Sequence, residues 1–208
     1  MMIDSILFDL DGTLWDSTDV VVRAWNQVLR KTGGPIQVTA EEIQGVMGLQ
    51  QPEIAQKLLP GLESGTAKEL MAECNAWECD MLRREGGRVF AGLEETLRQL
   101  YPKFPLFIVS NCQCGYIESF LFAHDLGKYF IDFECAGKTG LPKGENIKTV
   151  IARNGLKSPV YVGDTDGDRE AAHLTGTPFI FAAYGFGNPL DHDYIIHSPL
   201  DLIELVLQ

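Results

Sequence analysis

The segment SILFDLDGTLWDS, residues 5–17, decides how the rest of the chain is read. Ile6, Leu7, Phe8 and Leu10 suit a strand entering a core, yet Asp9 and Asp11 stand at its end and Gly12 and Thr13 follow at once. Two carboxylates one residue apart repel each other and resist burial. A solvated Asx or Gly turn would account for a lone DxDG, since both residue types favour turns. A metal-binding nucleophile pair would account for it too, because hard carboxylate oxygens at a strand terminus suit Mg²⁺. Which applies depends on what else the chain brings to the same edge.

Outward from this segment, short apolar runs alternate with helical patterns. Strands are predicted at residues 5–10, 105–110, 130–136, 159–163, 178–183 and 194–197, and helices at 93–100, 115–125, 145–153, 168–175 and 200–207. Strand–helix alternation with nearly continuous apolar strands marks an α/β protein, a Rossmann-like parallel sheet covered on both faces. One region breaks the alternation. Between about Asp19 and Arg88 there is no convincing strand. Val21, Trp25, Val28 and Leu29 make one helical face, Thr39 with Glu42 reads as a capping box, and Pro52 opens a helix that stops before Pro60 and Gly61. Leu70, Cys74, Trp77 and Met81 are assigned to one stripe of a longer helix. The expected organisation is a core of residues 1–17 and 87–208, with residues 18–86 inserted as a helical bundle-type domain.

Ligands of open parallel sheets bind beyond the carboxyl ends of the strands. The predicted strands deliver Asp9 and Asp11 there, then Ser110 and Asn111 from FIVSN, then Asp164 from VYVGDTDGD, with Asp168 opening the next helix. The loop GKTGLPKGEN adds Lys138 and Lys143. Singly, each feature is weak: Ser110 could be a helix cap, Lys143 a solvated lysine, and GDTDGD an ordinary acidic loop that lacks the closing glutamate of an EF-hand. Four carboxylates, a hydroxyl, an amide and a lysine on one edge are not.

The formal net charge is −12, with a pI of about 4.7. That balance argues against nucleic acid and against an anionic membrane surface, but leaves room for a small phosphorylated metabolite if a bound cation inverts the local field. The chain shows no signal-peptide pattern and no apolar run long enough for a bilayer. Five cysteines, Cys74, Cys79, Cys112, Cys114 and Cys135, have neither zinc nor CxxC spacing, so reduced thiols in a cytoplasmic protein, monomer or homodimer, are expected.

DxDGT after the first strand, SN after the next core strand, a loop lysine and then GDxxxD resemble the four ordered motifs of the haloacid dehalogenase-like (HAD) hydrolase superfamily. The resemblance spans essentially the whole chain, and the helical insert is similar to that superfamily's C1 cap. Only about 20 residues separate Lys143 from Asp164, too few for the other cap type. Within that superfamily it is similar to the phosphoglycolate phosphatase and β-phosphoglucomutase group. The resemblance implies a Mg²⁺-dependent phosphatase with an aspartyl-phosphate intermediate. Asp9 would be the nucleophile and Asp11 the general acid/base. Mg²⁺ would be held by Asp9, Asp164 and the main chain of Asp11. Gly12, Thr13, Ser110, Asn111 and Lys143 would contact the phosphoryl group, and Asp168 would support Lys143 or metal-bound water. An acid at position 11 favours phosphate esters over the dehalogenase and phosphonatase chemistry of similar architectures.

Substrate choice is expected to lie in the cap. Gly48, Leu49, Gln50 and Gln51 stand where family members often carry specificity residues, and all are neutral, which disfavours an anionic leaving group such as glycolate. Lys57, Arg83 and Arg84 are expected to face solvent. Cys112, Gln113 and Tyr116 beside the second motif either touch substrate or cap, or simply pack. Two rival readings are a β-phosphoglucomutase-like mutase and a receiver-like signalling domain phosphorylated on aspartate. The receiver is disfavoured because it lacks an insert after the first strand.

Overall fold

The computed structural model describes residues 3–31 and 37–207. Strand β1 (Ser5–Phe8) leads to a two-residue strand β2 (Trp15–Asp16) and four helices: α1 (Thr18–Lys31), α2 (Ala40–Gln44), α3 (Gln51–Leu58) and α4 (Ser64–Glu85). A second two-residue strand, β3 (Arg88–Val89), returns the chain to α5 (Leu93–Leu100), β4 (Leu106–Ser110), α6 (Tyr116–Ala123) and β5 (Phe130–Cys135). Then come α7 (Ala136–Thr139), α8 (Lys143–Asn154), β6 (Pro159–Gly163), α9 (Asp166–Leu174), β7 (Phe179–Ala182), β8 (Tyr194–Ile196) and α10 (Asp201–Leu207).

Six strands form one sheet in the order β5-β4-β1-β6-β7-β8, and every pairing is parallel. The alternation in the sequence implied this architecture. Side chains of a strand alternate between faces, so Ile6 and Phe8 join one core while Leu7 joins the other. In register with Leu7 lie Phe107 and Tyr161, and in register with Tyr161 lies Phe179. This row packs under α8 and α9 through Ile147, Val150, Ala171 and Ala172.

The short ribbon of β2 and β3, antiparallel through Trp15↔Val89 and Asp16↔Arg88, was not expected. Two-residue strands carry no periodicity to read. The predicted capping box is present: Glu42 N–H donates to Thr39 Oγ1, and Thr39 N–H to Glu42 Oε2. Lys57, Arg83 and Arg84 are exposed as expected. The stripe read on α4 faces the core: Leu70, Cys74 and Met81 are buried, and Trp77, half-buried, packs against the same cluster. The buried face is wider than that stripe and also takes in Met71, Glu78 and Leu82.

Candidate active site

The winding direction reverses at β1, with β4 and β5 on one side and β6, β7 and β8 on the other. Such a reversal opens a crevice at the carboxyl ends of the central strands. Asp9 stands one residue past β1, Ser110 ends β4, and Asp164 follows β6, so three neighbouring strands aim at one point. Lys143 opens α8 and reaches across to them. Its Nζ donates to Asp9 Oδ1 at 2.8 Å and to Asp168 Oδ1 at 2.6 Å. All four charged side chains are essentially sealed from solvent, with exposures from 0% for Asp164 and Asp168 to 4% for Lys143.

Asp168 does not open its helix as predicted; it occupies the third position, with Thr165 as the cap. Its Oδ2 accepts Thr165 N–H at 2.9 Å and Thr165 Oγ1 at 2.6 Å, closing a capping box, while Oδ1 holds Lys143. Asp164 is held from the other side. Its Oδ2 accepts the main-chain amides of Phe186 at 2.7 Å and Gly187 at 3.2 Å, on the loop after β7.

Gly12 has φ +78°, and a Cβ there would stand 2.2 Å from Asp164 Oδ2. Its amide donates to Trp15 O at 2.9 Å, and the Thr13 amide lies 3.3 Å from Leu10 O. These two amides therefore close the turn. Thr13 is fully buried and its hydroxyl sits 3.5 Å from Asp164 Oδ1. Ser110 is buried beside Asp11 in the wall of a cavity. Asn111 Nδ2 donates to Gly48 O across to the helical segment, and its buried Oδ1 has no hydrogen-bond partner among the described residues. Lys138 lies away from this cluster, paired with Glu134 at 3.5 Å.

Asp11 has hydrogen-bond partners different from those of Asp9. Its Oδ1 accepts from Ser17 Oγ at 2.7 Å and from Tyr116 Oη at 2.9 Å. Burial pushes its carboxyl up to about 6, against the pull of the Ser17 and Tyr116 bonds. Burial, then the Asp168 charge, push Asp9 up to about 7 despite Lys143. Burial also raises Asp164, as does the Asp168 charge. Burial alone would lower Lys143, but the Asp168 and Asp9 charges outweigh it and keep the ammonium protonated.

Asp9, Asp164 and Asp168 bring carboxylate oxygens within 4.8 Å of one another. Three buried acids face one lysine, which leaves negative charge that a divalent cation would offset. Hard oxygen donors fit Mg²⁺. Asp168 is committed to Lys143 and to its helix cap, so Asp9 and Asp164, at the ends of neighbouring strands, are the carboxylates that could hold it.

Above Asp11 lies the cavity, lined by Ser110, Asn111, Cys112, Gln113 and Tyr116 from the core and by Trp25, Met47, Gly48, Gln51, Asn75 and Glu78 from the helical segment, among others. Gln113 and Tyr116, left open by the sequence, both prove to be polar partners here. Glu78 was missed: a stripe search that scores apolar residues passes over a carboxylate at the same helical position. The Phe186 and Gly187 amides were also missed, since main-chain donors leave no side-chain signal.

A family model described as "Haloacid dehalogenase-like hydrolase" matches residues 6–182, and the chain belongs to that family of enzymes. It is 26% identical to a phosphoglycolate phosphatase of Vibrio parahaemolyticus over 97% of this chain and 95% of that one. A phosphoglycolate phosphatase of Synechococcus elongatus is 28% identical over 98% and 97% of the two chains. Among solved structures, a haloacid dehalogenase-like family hydrolase from Streptococcus pneumoniae has a TM-score of 0.85 at 22% identity, covering 99% of both chains. CbbY from Rhodobacter sphaeroides, solved in complex with xylulose-(1,5)bisphosphate, has a TM-score of 0.81 at 16% identity, covering 97% of this chain and 96% of its own. The chain is thus a phosphatase-like member of its family along its length. Among the described residues, no helix is long and apolar enough to cross a membrane.

Proposed function

We propose that this protein is a Mg²⁺-dependent phosphatase that hydrolyses a small phosphomonoester through an aspartyl-phosphate on Asp9. The observation that carries this reading is the placement of two buried carboxylates with separate partners: Asp9 on Lys143, Asp11 on Ser17 and Tyr116. Environments that separate two acids support separate roles. Mg²⁺, held by the Asp9 and Asp164 carboxylates and by the Asp11 main chain as the family resemblance implies, would offset phosphoryl charge and make phosphorus more electrophilic.

Asp9 attacks phosphorus and the ester P–O bond breaks. The leaving oxygen takes the proton from Asp11, whose raised pKa keeps a protonated fraction near neutral pH. A water then attacks the phosphoryl group on Asp9, Asp11 takes its proton, and inorganic phosphate leaves with Asp9 restored. Lys143 keeps Asp9 ionised before attack and offsets charge on the equatorial oxygens. Ser110 Oγ donates to one of those oxygens, and Asn111 Nδ2 ties the second-motif loop to Gly48 of the cap. Asp168 acts through Lys143. Residues 1–17 and 87–208 form the catalytic core, residues 18–86 the cap, and the enzyme works in the cytoplasm on a small phosphorylated metabolite.

The test is hydrolysis of p-nitrophenyl phosphate with Mg²⁺, with EDTA, and by Asp9→Asn. Activity is expected only in the first case; full turnover in EDTA or in the variant refutes the reading. A sugar-phosphate mutase would have to hold a second phosphate in the cap, and the described residues lining the cavity bring no lysine, arginine or histidine to it.

A further inference from the structure

Glu78 is a carboxylate on the buried face of α4, 5% exposed, in the wall of the cavity that also contains Asp11. A buried carboxylate is costly unless donors satisfy it. Two do so: Trp25 Nε1 donates to Oε2, and Gln113 Nε2 to Oε1 at 2.7 Å. The amides behind them are oriented in series. Asn75 Nδ2 donates to Gln51 Oε1 at 2.6 Å, Gln51 Nε2 to Gln113 Oε1 at 3.2 Å, and Gln113 in turn to Glu78. Each donor points toward Glu78, so the relay ends on an acceptor and stabilises its ionised form. Burial works against that form, and its carboxyl is pushed up to about 7, with the Trp25 and Gln113 bonds pulling it back and the Asp11 charge adding to the rise.

An ionised carboxylate has about four acceptor sites. The Trp25 and Gln113 bonds occupy two of them, and Glu78 itself lines the cavity. A leaving group positioned there would lie between Asp11, which gives it a proton, and Glu78, which accepts from it. A second anion would meet two carboxylates, and the described lining offers it no lysine, arginine or histidine. Residues 32–36, outside the described part, contain none in their sequence either.

We propose that Glu78 is a specificity residue of the leaving-group pocket, selecting phosphate esters whose leaving group presents hydroxyl or ammonium donors and carries no second anion. Ethanolamine phosphate and glycerol 3-phosphate represent the two forms of that chemistry; phosphoglycolate and 3-phosphoglycerate represent the excluded class. The proposal rests on the phosphatase reading for its substrate, but recognition can be measured apart from turnover.

Binding is measured by calorimetry on Asp9→Asn with Mg²⁺, and kcat/KM on the native enzyme, for all four compounds. At least one donor-bearing ester is expected to exceed both anionic ones tenfold or more in affinity and in kcat/KM. Glu78→Gln, nearly isosteric, is expected to shrink that ratio tenfold, mainly through KM. A ratio of two substrates on one preparation does not depend on the folded fraction, so a purely structural role for Glu78 would leave it unmoved. Preference for phosphoglycolate, or an unmoved ratio in Glu78→Gln, overturns the proposal. Selective binding without hydrolysis of any ester would sustain it and overturn the phosphatase reading instead. If ethanolamine phosphate alone is preferred, Glu78 pairs with an ammonium; if glycerol 3-phosphate, with hydroxyls.

Discussion

Tyr116 Oη and Asp11 Oδ1 lie 2.9 Å apart, although 105 positions separate them in the chain. The same oxygen takes the Ser17 hydroxyl, so the proposed proton carrier is held from the core side and from the chain leading into the helical segment. Tyr116→Phe removes a donor that favours the ionised acid. The Asp11 pKa should rise by about one to two units, since hydrogen bonds to charged groups contribute about 1.5–3 kcal/mol and one unit is about 1.4 kcal/mol. The alkaline limb of kcat is expected to move up accordingly, with a several-fold lower maximum. A pH–rate profile of the two enzymes checks this; an unchanged limb removes Tyr116 from the acid's environment.

Lys143→Met leaves Asp9 and Asp168 facing each other without their shared cation. Removing one partner of a buried ion pair costs about 3–5 kcal/mol. The variant should lose at least about a hundredfold in kcat and unfold earlier in urea, and acid should relieve the loss by neutralising the carboxylates. Urea titrations at pH 5 and pH 8 measure it. Equal destabilisation at both would contradict the charge explanation.

The metal-free protein should be more stable at pH 5 than at pH 8. Asp9 and Asp11 rise from 3.8 to about 7 and about 6, and Glu78 from 4.5 to about 7. Between their unfolded and folded values the native state binds more protons, so stability falls as pH rises from about 4 to about 7. His124, lowered by burial, and Cys135, lowered to about 7 by its hydrogen bond with Cys112, act in the opposite sense, but the raised carboxyls, Asp164 among them, outnumber them. Mg²⁺ at pH 8 should restore Tm by binding only the folded state. Thermal melts with EDTA and with Mg²⁺ at both pH values test the sign.

Gly12→Ala would force a Cβ to within 2.2 Å of Asp164 Oδ2 at a backbone angle of +78°. Strain of this kind costs about 1–3 kcal/mol, and relief requires Asp164 to move. The Mg²⁺ concentration giving half-maximal activity should increase about tenfold or more. Gly61→Ala is the control, since it has φ +83° but nothing within 4 Å of its Cβ position. If both variants behave alike, backbone strain alone explains the effect.

The sequence disclosed most where chemistry and periodicity coincide. The DLDGT and GDTDGD segments follow apolar strands, so their acids could be assigned to one edge before any coordinates. Lys143 was legible only in company, because nothing local distinguishes it from a surface lysine; its reach to Asp9 depends on where α8 begins. Glu78 failed for a physical reason. Its burial is made tolerable by Trp25 and Gln113, which are 53 and 35 positions away, and pairings at that distance leave no local pattern. Asp164's amide partners on Phe186 and Gly187 were hidden for the same reason, and because every residue but proline has an N–H.

The β2–β3 ribbon also has a consequence for how such a chain can diversify. Trp15 and Asp16 pair with Val89 and Arg88, so the polypeptide leaves the sheet domain and returns to it along two touching strands. The ends of the excursion are therefore already neighbours, about 5 Å apart as paired strands are. A tight turn could bridge them, or a foreign module of any length could be spliced between them, without moving β1 or β4. The ribbon makes the excursion an exchangeable cassette: the side chains gathered at the strand ends can stay fixed while the helices from Thr18 to Glu85 are replaced.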